Sequence, residues 1–465
     1  MSIHQKMFQE IKQKAIFRQA QTYAYAYIDN AFERNVFPSE AVIRDLEKFN
    51  EAMPDDSGDS SQILELLHRC GSPATVAQIG GRYFGFVNGG AVPVSLAARW
   101  LSDVWDQNAA LSTMSPIASK LEEITESWLK DLFGLPDTVV AGFVSGTSLA
   151  IVCGLAAARY RIFKNANWDI NQKGLNGAPK VRIVAGRQAH ATVIKAIALL
   201  GFGIENIEWV DTDAQGRIAS GSLPRLDEHT LLILQAGNVC SGAFDPFEDI
   251  CEKAGEAKAW VHIDGAFGLW AAGSERLKHL TNGIEKANSW SVDGHKTLNT
   301  PYDCGIILCD DKEALVQSLQ ASGSYIAYSQ TRDGMLYTPE MSRRARAVDL
   351  WAALKFLGKK GVDELVFGLH EKAGRFAREL KAEGFSILND VVFNQILVGC
   401  AHADIAQRML KHIQQSGECW VGGATWDGKP VIRISVCSWA TTDDDISRSV
   451  RAFSDARRQA IQDGH

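Results

Sequence analysis

The chain reads WVHIDGA at residues 260–266 and SWSVDGHKT at residues 289–297. Each stretch begins with a short run of aromatic, β-branched and small residues, which predicts a buried strand over residues 260–263 and another over residues 289–292. Both strands are followed by ionisable side chains, Asp264 after the first and Lys296 shortly after the second. Charge at the end of a buried strand is costly unless it meets a partner, so both positions are candidates for a functional site.

The same pattern extends in both directions from this stretch. Further strands are predicted over residues 139–144, 181–185, 231–235 and 305–309, and helices over residues 149–163, 191–200 and 247–258. Strands that alternate with helices predict an α/β fold with a mostly parallel sheet covered on both faces.

The flanking regions have a different texture. Residues 1–75 are predicted to be helical, with a polar loop at residues 54–61 that ends in a helix cap. After a long helix over residues 345–358, the C-terminal part reads as a smaller α+β unit. We therefore expect three units, residues 1–75, 76–345 and 346–465. The glycine-rich aromatic segment at residues 80–90 predicts irregular backbone packed close to another chain or a ligand.

Composition excludes several classes of function. The chain has 465 residues, 46% of them hydrophobic, and a net charge of −7 without a long basic run, which argues against nucleic-acid binding. No apolar run approaches the roughly 20 residues that span a bilayer, and the first 21 residues show no secretory signal. The nine cysteines lack the paired spacings of a zinc site, so we expect no metal, free thiols and a cytoplasmic location.

Four predicted strand ends carry unusual side chains, and ligands of parallel sheets bind at the carboxyl ends of the strands. These ends hold Gly146, Thr147 and Ser148, then His190, then Asp264, and finally His295 and Lys296. Taken singly, each has an ordinary explanation: a helix cap, a structural histidine, a capping carboxylate and a surface lysine. Alternatively, a glycine and two hydroxyl groups at a helix N-terminus form an anion site.

Taken together, these groups predict a site for pyridoxal 5'-phosphate (PLP). A lysine forms a Schiff base with the aldehyde of this cofactor. A carboxylate keeps the pyridine nitrogen protonated so that the ring accepts electrons. The phosphate needs anion-binding donors, and an imidazole can stack on the ring.

With these motifs, the sequence resembles the PLP-dependent group II amino acid decarboxylases over about residues 75–450. The group includes aromatic-L-amino-acid, glutamate and diaminobutyrate decarboxylases. The resemblance implies the type I fold of PLP-dependent transferases: a mostly parallel seven-stranded sheet, an N-terminal helical dimerisation segment and a small C-terminal α+β domain. It also implies an obligate homodimer with active sites at the interface, and α-decarboxylation of an L-amino acid to an amine and CO₂.

The resemblance carries over to individual residues. It implies that Lys296 forms the Schiff base, that Asp264 pairs with the ring nitrogen and that His190 stacks on the ring. Its further cofactor contacts are Gly146, Thr147, Ser148, Asn238, Ala266 and His295. The implied proton donor is a loop tyrosine, Tyr325 or, as a weaker choice, Tyr328. For substrate binding, the expected residues are Tyr83, Phe84 and Arg433, the arginine as a ligand of the α-carboxylate.

Some positions depart from the group's pattern. Asp293 stands where the animal enzymes have Asn, and a carboxylate there would repel a phosphate unless it is bridged or turned away. Thr297, Val239 and the pair Gly80-Gly81 are further departures, which concern the substrate more than the cofactor. Other PLP reactions, such as transamination, lyase chemistry or decarboxylation coupled to aldehyde synthesis, remain open, as does a non-catalytic PLP-binding protein. A dinucleotide-binding reading of Gly201 and Gly203 is disfavoured because no strand precedes them.

Overall fold

The computed structural model of the chain describes residues 1–320, 331–400 and 402–463. Within these residues the chain forms a seven-stranded sheet and a four-stranded sheet, with helices before, between and after them.

The N-terminal region consists of helices joined by loops, as the sequence predicts. These helices are α1 (Ile3–Gln13), α2 (Ala15–Ala31), α3 (Glu40–Arg44), α4 (Ser60–Leu66) and α5 (Ser72–Ala74). The polar stretch before α4 is a loop, and the Asp59 side chain caps α4 by accepting a hydrogen bond of 3.0 Å from the Gln62 backbone N–H. Helix α1 buries none of its residues, so its apolar face is uncovered in the single chain.

The large sheet confirms the mostly parallel architecture. Its strands are β1 (Val140–Val144), β2 (Arg182–Gly186), β3 (Ile207–Val210), β4 (Thr230–Gln235), β5 (Trp260–Asp264), β6 (Ser289–Asp293) and β7 (Gly305–Cys309). Their order is β1-β7-β6-β5-β4-β2-β3, and only β7 runs antiparallel to its neighbours. The strand runs read from the sequence did not include β3. It is a four-residue edge strand whose two central residues are partly exposed, so it lacks the apolar run of its neighbours.

Both faces of this sheet are buried. Leu232 and Leu234 of β4 belong to one hydrophobic core, and Leu231 and Ile233 of the same strand belong to the core on the other face. The covering helices are α6 (Pro93–Trp105), α7 (Pro116–Phe133), α8 (Thr147–Asn165), α9 (Ile170–Lys173), α10 (Ala191–Leu199), α11 (Phe247–Glu256) and α12 (Lys312–Leu319). Each polar strand end therefore emerges from an apolar interior.

The C-terminal part has its own antiparallel sheet, in the order β10-β11-β9-β8. Its elements are α13 (Ala347–Ala382), β8 (Ser386–Ile387), β9 (Gln395–Gly399), α14 (Ala403–Ser416), β10 (Gly422–Trp426), β11 (Lys429–Ser435) and α15 (Asp443–Gln462). The helix expected to end at Gly358 is indeed interrupted there, where φ is 58°, but a second helical run continues at once to Ala382. Of the helices described, none is both long and apolar enough to cross a membrane.

Candidate active site

A cavity of about 560 Å³ lies at the carboxyl edge of the large sheet. The chain segments that follow β1, β2, β4, β5 and β6 all contribute to its wall, as expected for a mostly parallel sheet. Eight of the nine predicted cofactor residues line it: Gly146, Thr147, Ser148, His190, Asp264, Ala266, His295 and Lys296.

The start of α8 forms one end of the cavity. Gly146 is the N-cap residue and supplies no side-chain cap, so the backbone N–H groups of the first turn need other acceptors. The Oγ1 atom of Thr147 is buried and has no hydrogen-bond partner. A buried hydroxyl without a partner beside a helix N-terminus fits an anionic group such as a phosphate.

Asp264 and His190 form the centre of the cavity. Asp264 is buried at the end of β5, where its Oδ1 accepts a hydrogen bond of 3.2 Å from the Ala266 backbone N–H. Burial raises the pKa of Asp264, and the nearby His190 and Lys296 offset part of that rise. Burial lowers the pKa of His190, whose Nδ1 lies 2.7 Å from the Thr192 Oγ1 and caps α10. His190 thus combines the structural role of a helix cap with a place in the cavity wall.

Lys296 faces the same space from the loop after β6. Its Nζ lies 3.0 Å from the Asp293 Oδ2, and the His295 Nε2 lies 3.5 Å from the same oxygen. The His295 Nδ1 accepts a hydrogen bond of 3.0 Å from the Cys304 backbone N–H, and burial lowers the pKa of this histidine. Because its ring is held by the backbone on one side, His295 presents Nε2 towards the cavity.

The glycine-rich segment packs directly behind this lysine. A Cβ atom on Gly89 would lie 2.2 Å from the Lys296 carbonyl oxygen, and one on Gly85 would lie 2.1 Å from the Trp420 ring. Only residues without a side chain allow such close approach of backbone. The sequence predicts packing against another chain or a ligand, whereas these two contacts are made within the same chain.

Arg433 reaches the cavity from strand β11 of the small sheet. Its Nη1 donates a hydrogen bond of 3.3 Å to the Val239 carbonyl oxygen, and no carboxylate of the described residues lies within ion-pair distance of it. The guanidinium group is thus a positive charge at the cavity wall without a bound anion of its own.

Three predicted residues do not line the cavity. Phe84, predicted to bind substrate, is instead fully buried in the core of the C-terminal part, with its ring 5.2 Å from that of Phe376. Tyr83 is buried and stacks on Trp420 at 5.2 Å, and burial raises its pKa to about 12. Asn238 uses its Oδ1 to accept hydrogen bonds from the backbone N–H groups of residues 240 and 241, so it shapes the loop. Tyr325 and Tyr328 lie outside the described residues.

Two more aromatic residues line the cavity, Tyr302 and Phe86, and the second belongs to the glycine-rich segment singled out in the sequence. The Tyr302 hydroxyl donates a hydrogen bond of 2.8 Å to the Asn88 Oδ1, and the Tyr302 ring lies 4.3 Å from the His295 ring. Phe86, 61% exposed, stands at the mouth. Tyr302 lies within residues 301–305, a stretch that also resembles the decarboxylase group, so the sequence carried a signal for both residues.

The profile of the pyridoxal-dependent decarboxylase conserved domain matches residues 44–398. The chain belongs to this family. It is 26% identical over 434 residues to an aromatic-L-amino-acid decarboxylase of Bacillus atrophaeus, a match that covers 88% of each protein. It is also 26% identical over 356 residues to the acidic amino acid decarboxylase GADL1 of Mus musculus, covering 73% of this chain and 64% of that protein.

Solved structures share the fold of this pyridoxal-dependent decarboxylase. The crystal structure of mouse CSAD in apo form has a TM-score of 0.87 at 20% identity and covers 96% of this chain and 99% of that one. The crystal structure of Oryza sativa TDC with PLP and tryptamine has a TM-score of 0.86 at 19% identity, covering 97% of this chain and 98% of that one.

The cofactor of the decarboxylase is PLP, and the cavity fits it chemically. The unpartnered Thr147 hydroxyl at the start of α8 suits a phosphate. The buried Asp264 carboxyl, whose pKa burial raises, gains from a protonated ring nitrogen. The Lys296 amine lies in the same cavity and is within reach of an aldehyde.

Proposed function

We propose that this decarboxylase removes the α-carboxyl group of an L-amino acid, releasing the corresponding amine and CO₂, with Lys296 as the residue that binds the cofactor covalently. The observation that carries the proposal is that Asp264, His190, Lys296 and the start of α8 share one cavity. When bound, PLP supplies an electron sink for the pair of electrons that the departing CO₂ leaves behind.

Each residue has a distinct part in this proposal. Lys296 binds the aldehyde, Asp264 holds the proton on the ring nitrogen, and His190 stacks on the ring beside Ala266. The residues Gly146, Thr147, Ser148 and His295, with Asn238 shaping the neighbouring loop, hold the phosphate. These assignments are supported by the position of each group in or beside the cavity wall.

Arg433 binds a carboxylate of the substrate. Its support is chemical: a guanidinium that lines a cavity without an acidic partner among the described residues offers two parallel N–H donors to a carboxylate. Tyr83 stacks on Trp420, and the charge of Arg433 offsets part of the rise that burial causes in the Tyr83 pKa, so we assign Tyr83 to the surroundings of Arg433.

Covalent capture and product analysis test the function together. Reduction of the full-length holoenzyme with borohydride, followed by peptide mapping, is expected to place the cofactor label on Lys296. Incubation with a panel of L-amino acids is expected to give equal amounts of CO₂ and amine. A label on another residue contradicts the assignment of Lys296, and keto acid or aldehyde as the main product contradicts the reaction.

Tyr325 delivers the proton that replaces CO₂ at Cα in this proposal. A Tyr325→Phe variant is expected to release amine more slowly and to form more aldehyde, because the phenolic proton is lost while the ring is kept. Tyr328→Phe is the matched control. Unchanged amine release in Tyr325→Phe removes the residue from the mechanism.

The active form in this proposal is a homodimer. The exposed apolar residues of α1 (Ile3, Met7, Phe8 and Ile11) and of α6 (Leu101, Val104 and Trp105) support it, because a single chain leaves them uncovered. Sedimentation of the holoenzyme is expected to give twice the chain mass of 50.9 kDa. A monomer at micromolar concentration contradicts the dimer.

We place the enzyme in the cytoplasm. All nine cysteines are unpaired, which is typical of a reducing compartment. Cell fractionation tests this location.

A further inference from the structure

The proposed function assigns the cofactor phosphate to Gly146, Thr147, Ser148 and His295, a set of residues called the cradle below. The Asp293 carboxylate lies among them. It is buried at the end of β6 and lines the cavity. Its Oδ1 accepts a hydrogen bond of 2.7 Å from the Thr147 backbone N–H, and its Oδ2 lies 3.0 Å from the Lys296 Nζ and 3.5 Å from the His295 Nε2. The groups that would contact the cofactor, the Thr147 N–H, Lys296 and His295, therefore already face the negative charge of Asp293.

The Asp293 side chain acts as the cap that α8 lacks in its own sequence. The N-cap residue Gly146 has no side chain, and the carboxylate from β6 takes over the Thr147 N–H. The neighbouring Thr147 hydroxyl is buried and left without a partner, which is a second indication that an anion binds beside this helix N-terminus. The cradle thus contains an anion of the protein, Asp293, and a hydroxyl donor without an acceptor, Thr147.

Two charges of the same sign in one small site repel each other. A phosphate monoester carries close to two negative charges at pH 7. It would lie within a few ångströms of the Asp293 carboxylate and compete with it for the Thr147 N–H. Binding the aldehyde to the Lys296 amine also disturbs the ion pair with Asp293. Asn at this position would keep the shape and an acceptor oxygen for Thr147 but would carry no charge.

We propose that Asp293 is a positioning residue that weakens the grip of the cradle on the cofactor phosphate, so that this enzyme holds PLP less tightly than it would with a neutral side chain. The inference rests on the proposed function, because it takes the start of α8 as the phosphate site. It gives Asp293 a part in cofactor exchange: the carboxylate offers the α8 N-terminus an internal anion that replaces the phosphate when PLP leaves.

The test compares full-length wild type with Asp293→Asn in titrations with PLP and with pyridoxal, which lacks the phosphate. We expect the PLP dissociation constant to fall about tenfold in the variant, the effect of about one unit charge at close range in a solvated site. The pyridoxal dissociation constant is expected to change much less. Inorganic phosphate is expected to block PLP binding to the variant at about tenfold lower concentration.

The control is Asp211→Asn, which removes one negative charge from the exposed surface, where Asp211 pairs with Arg187. It is expected to leave both dissociation constants unchanged. Asp293→Ser, with a smaller uncharged acceptor, is expected to raise the ratio of PLP to pyridoxal affinity as Asp293→Asn does, so the result does not depend on one variant folding.

Two outcomes overturn the inference: PLP binding that is unchanged or weaker in both Asp293 variants, or equal tightening for PLP and pyridoxal, which would trace the effect to Lys296 alone. Failure of the proposed function looks different, because wild type itself would then show no PLP absorption band at about 400–430 nm.

Discussion

Two of the regions of the large sheet that hold buried charges can be compared, the cavity at its carboxyl edge and the outer side of β1 at the end of the sheet. At the second region, the Arg343 Nη2 lies 2.6 Å from the Glu122 Oε1, and both side chains are almost fully buried. The Arg332 Nε lies 3.2 Å from the Glu122 Oε2, and the Arg332 Nη1 lies 2.6 Å from the Glu126 Oε2. This network of two arginines and two glutamates is called the edge network below.

The edge network supplies hydrogen-bond partners to the β1 backbone on the side where no strand pairs with it. Strand β1 ends the sheet, so its outer N–H and C=O groups have no neighbouring strand. Glu126 accepts a hydrogen bond of 2.7 Å from the Ala141 N–H, Arg332 donates to the Ala141 carbonyl, and Arg343 donates to the Phe143 carbonyl over 3.3 Å. Its charges are matched within the protein.

The difference lies in how the charges are matched. Burial by itself lowers the pKa of Arg332, but Glu122 and Glu126 reverse this effect and hold the pKa above its ordinary value. In the cavity, burial still dominates and raises the pKa of Asp264. Burial of charge alone therefore does not mark a functional site. The proposed site differs in that its buried carboxyl group, Asp264, faces a cavity and keeps a raised pKa.

Loss of the Lys296 amine is expected to have the largest effect. In Lys296→Ala, we expect decarboxylation to fall by several orders of magnitude and borohydride labelling to disappear, because no other amine lines the cavity wall among the described residues. The control Lys286→Ala removes a surface lysine that pairs with Glu252. Covalent labelling that persists in Lys296→Ala contradicts the assignment.

Breaking the edge network is expected to lower the stability of the protein rather than its affinity for PLP. Glu122→Gln leaves two buried arginines short of a counter-ion, so the free energy of unfolding should fall by about 3–5 kcal/mol. Denaturant titration measures this loss, and PLP affinity of the folded fraction should not change. The neighbouring Glu123→Gln, on the exposed side of α7, is the control, with an expected change below about 0.5 kcal/mol.

A substitution in the cavity is expected to lower activity and leave stability unchanged. Asp264→Asn removes the carboxylate proposed to face the ring nitrogen, and kcat should fall by about 10²–10³-fold, as for loss of one preorganised electrostatic group. Because burial already disfavours the charged form of Asp264, thermal stability of the cofactor-free variant should not decrease. A stability loss as large as that of Glu122→Gln would show that both regions are structural.

A smaller effect is expected from a buried histidine that is not among the residues lining this cavity. His262 lies two residues before Asp264, with its Nδ1 2.8 Å from the Ser289 Oγ, and burial lowers its pKa to about 3. Since the folded-state pKa is below the unfolded value of about 6.5, stability is complete above that pH and decreases as pH falls. This one group should cost about 2 kcal/mol between pH 6.5 and 5.

Denaturant titrations at several pH values check this slope against His262→Gln, which cannot ionise. The variant is expected to be less stable at pH 7 but to lose less stability on acidification. Parallel slopes for the two proteins would rule out His262 as the titrating group.

Local sequence was a sound guide to part of the site. Asp264, Lys296, His190 and Thr147 follow predicted strands, and strands of a mostly parallel sheet bring their carboxyl ends to one edge wherever they stand in the order. The position of each group could therefore be predicted without its partners. Strand β3 was not predicted because its partly exposed centre lacks the apolar run of a buried strand.

Contacts between segments far apart in the chain could not be predicted from local sequence patterns. Phe84 looked like a pocket residue but packs in the C-terminal core, while Arg433 crosses to Val239 from the small sheet. A hydrophobic pattern tells which face of an element is buried, but not which other element will cover it.

The order of strands and helices, the apolar interior and the polar strand ends follow from periodicity in the printed sequence, because each depends on neighbouring residues. The partners of the charges depend on the folded chain. That Asp293 turns towards Thr147 and Lys296, and that Glu122 meets Arg343, follows from packing elements far apart in sequence, where electrostatic energy depends on distances of a few ångströms.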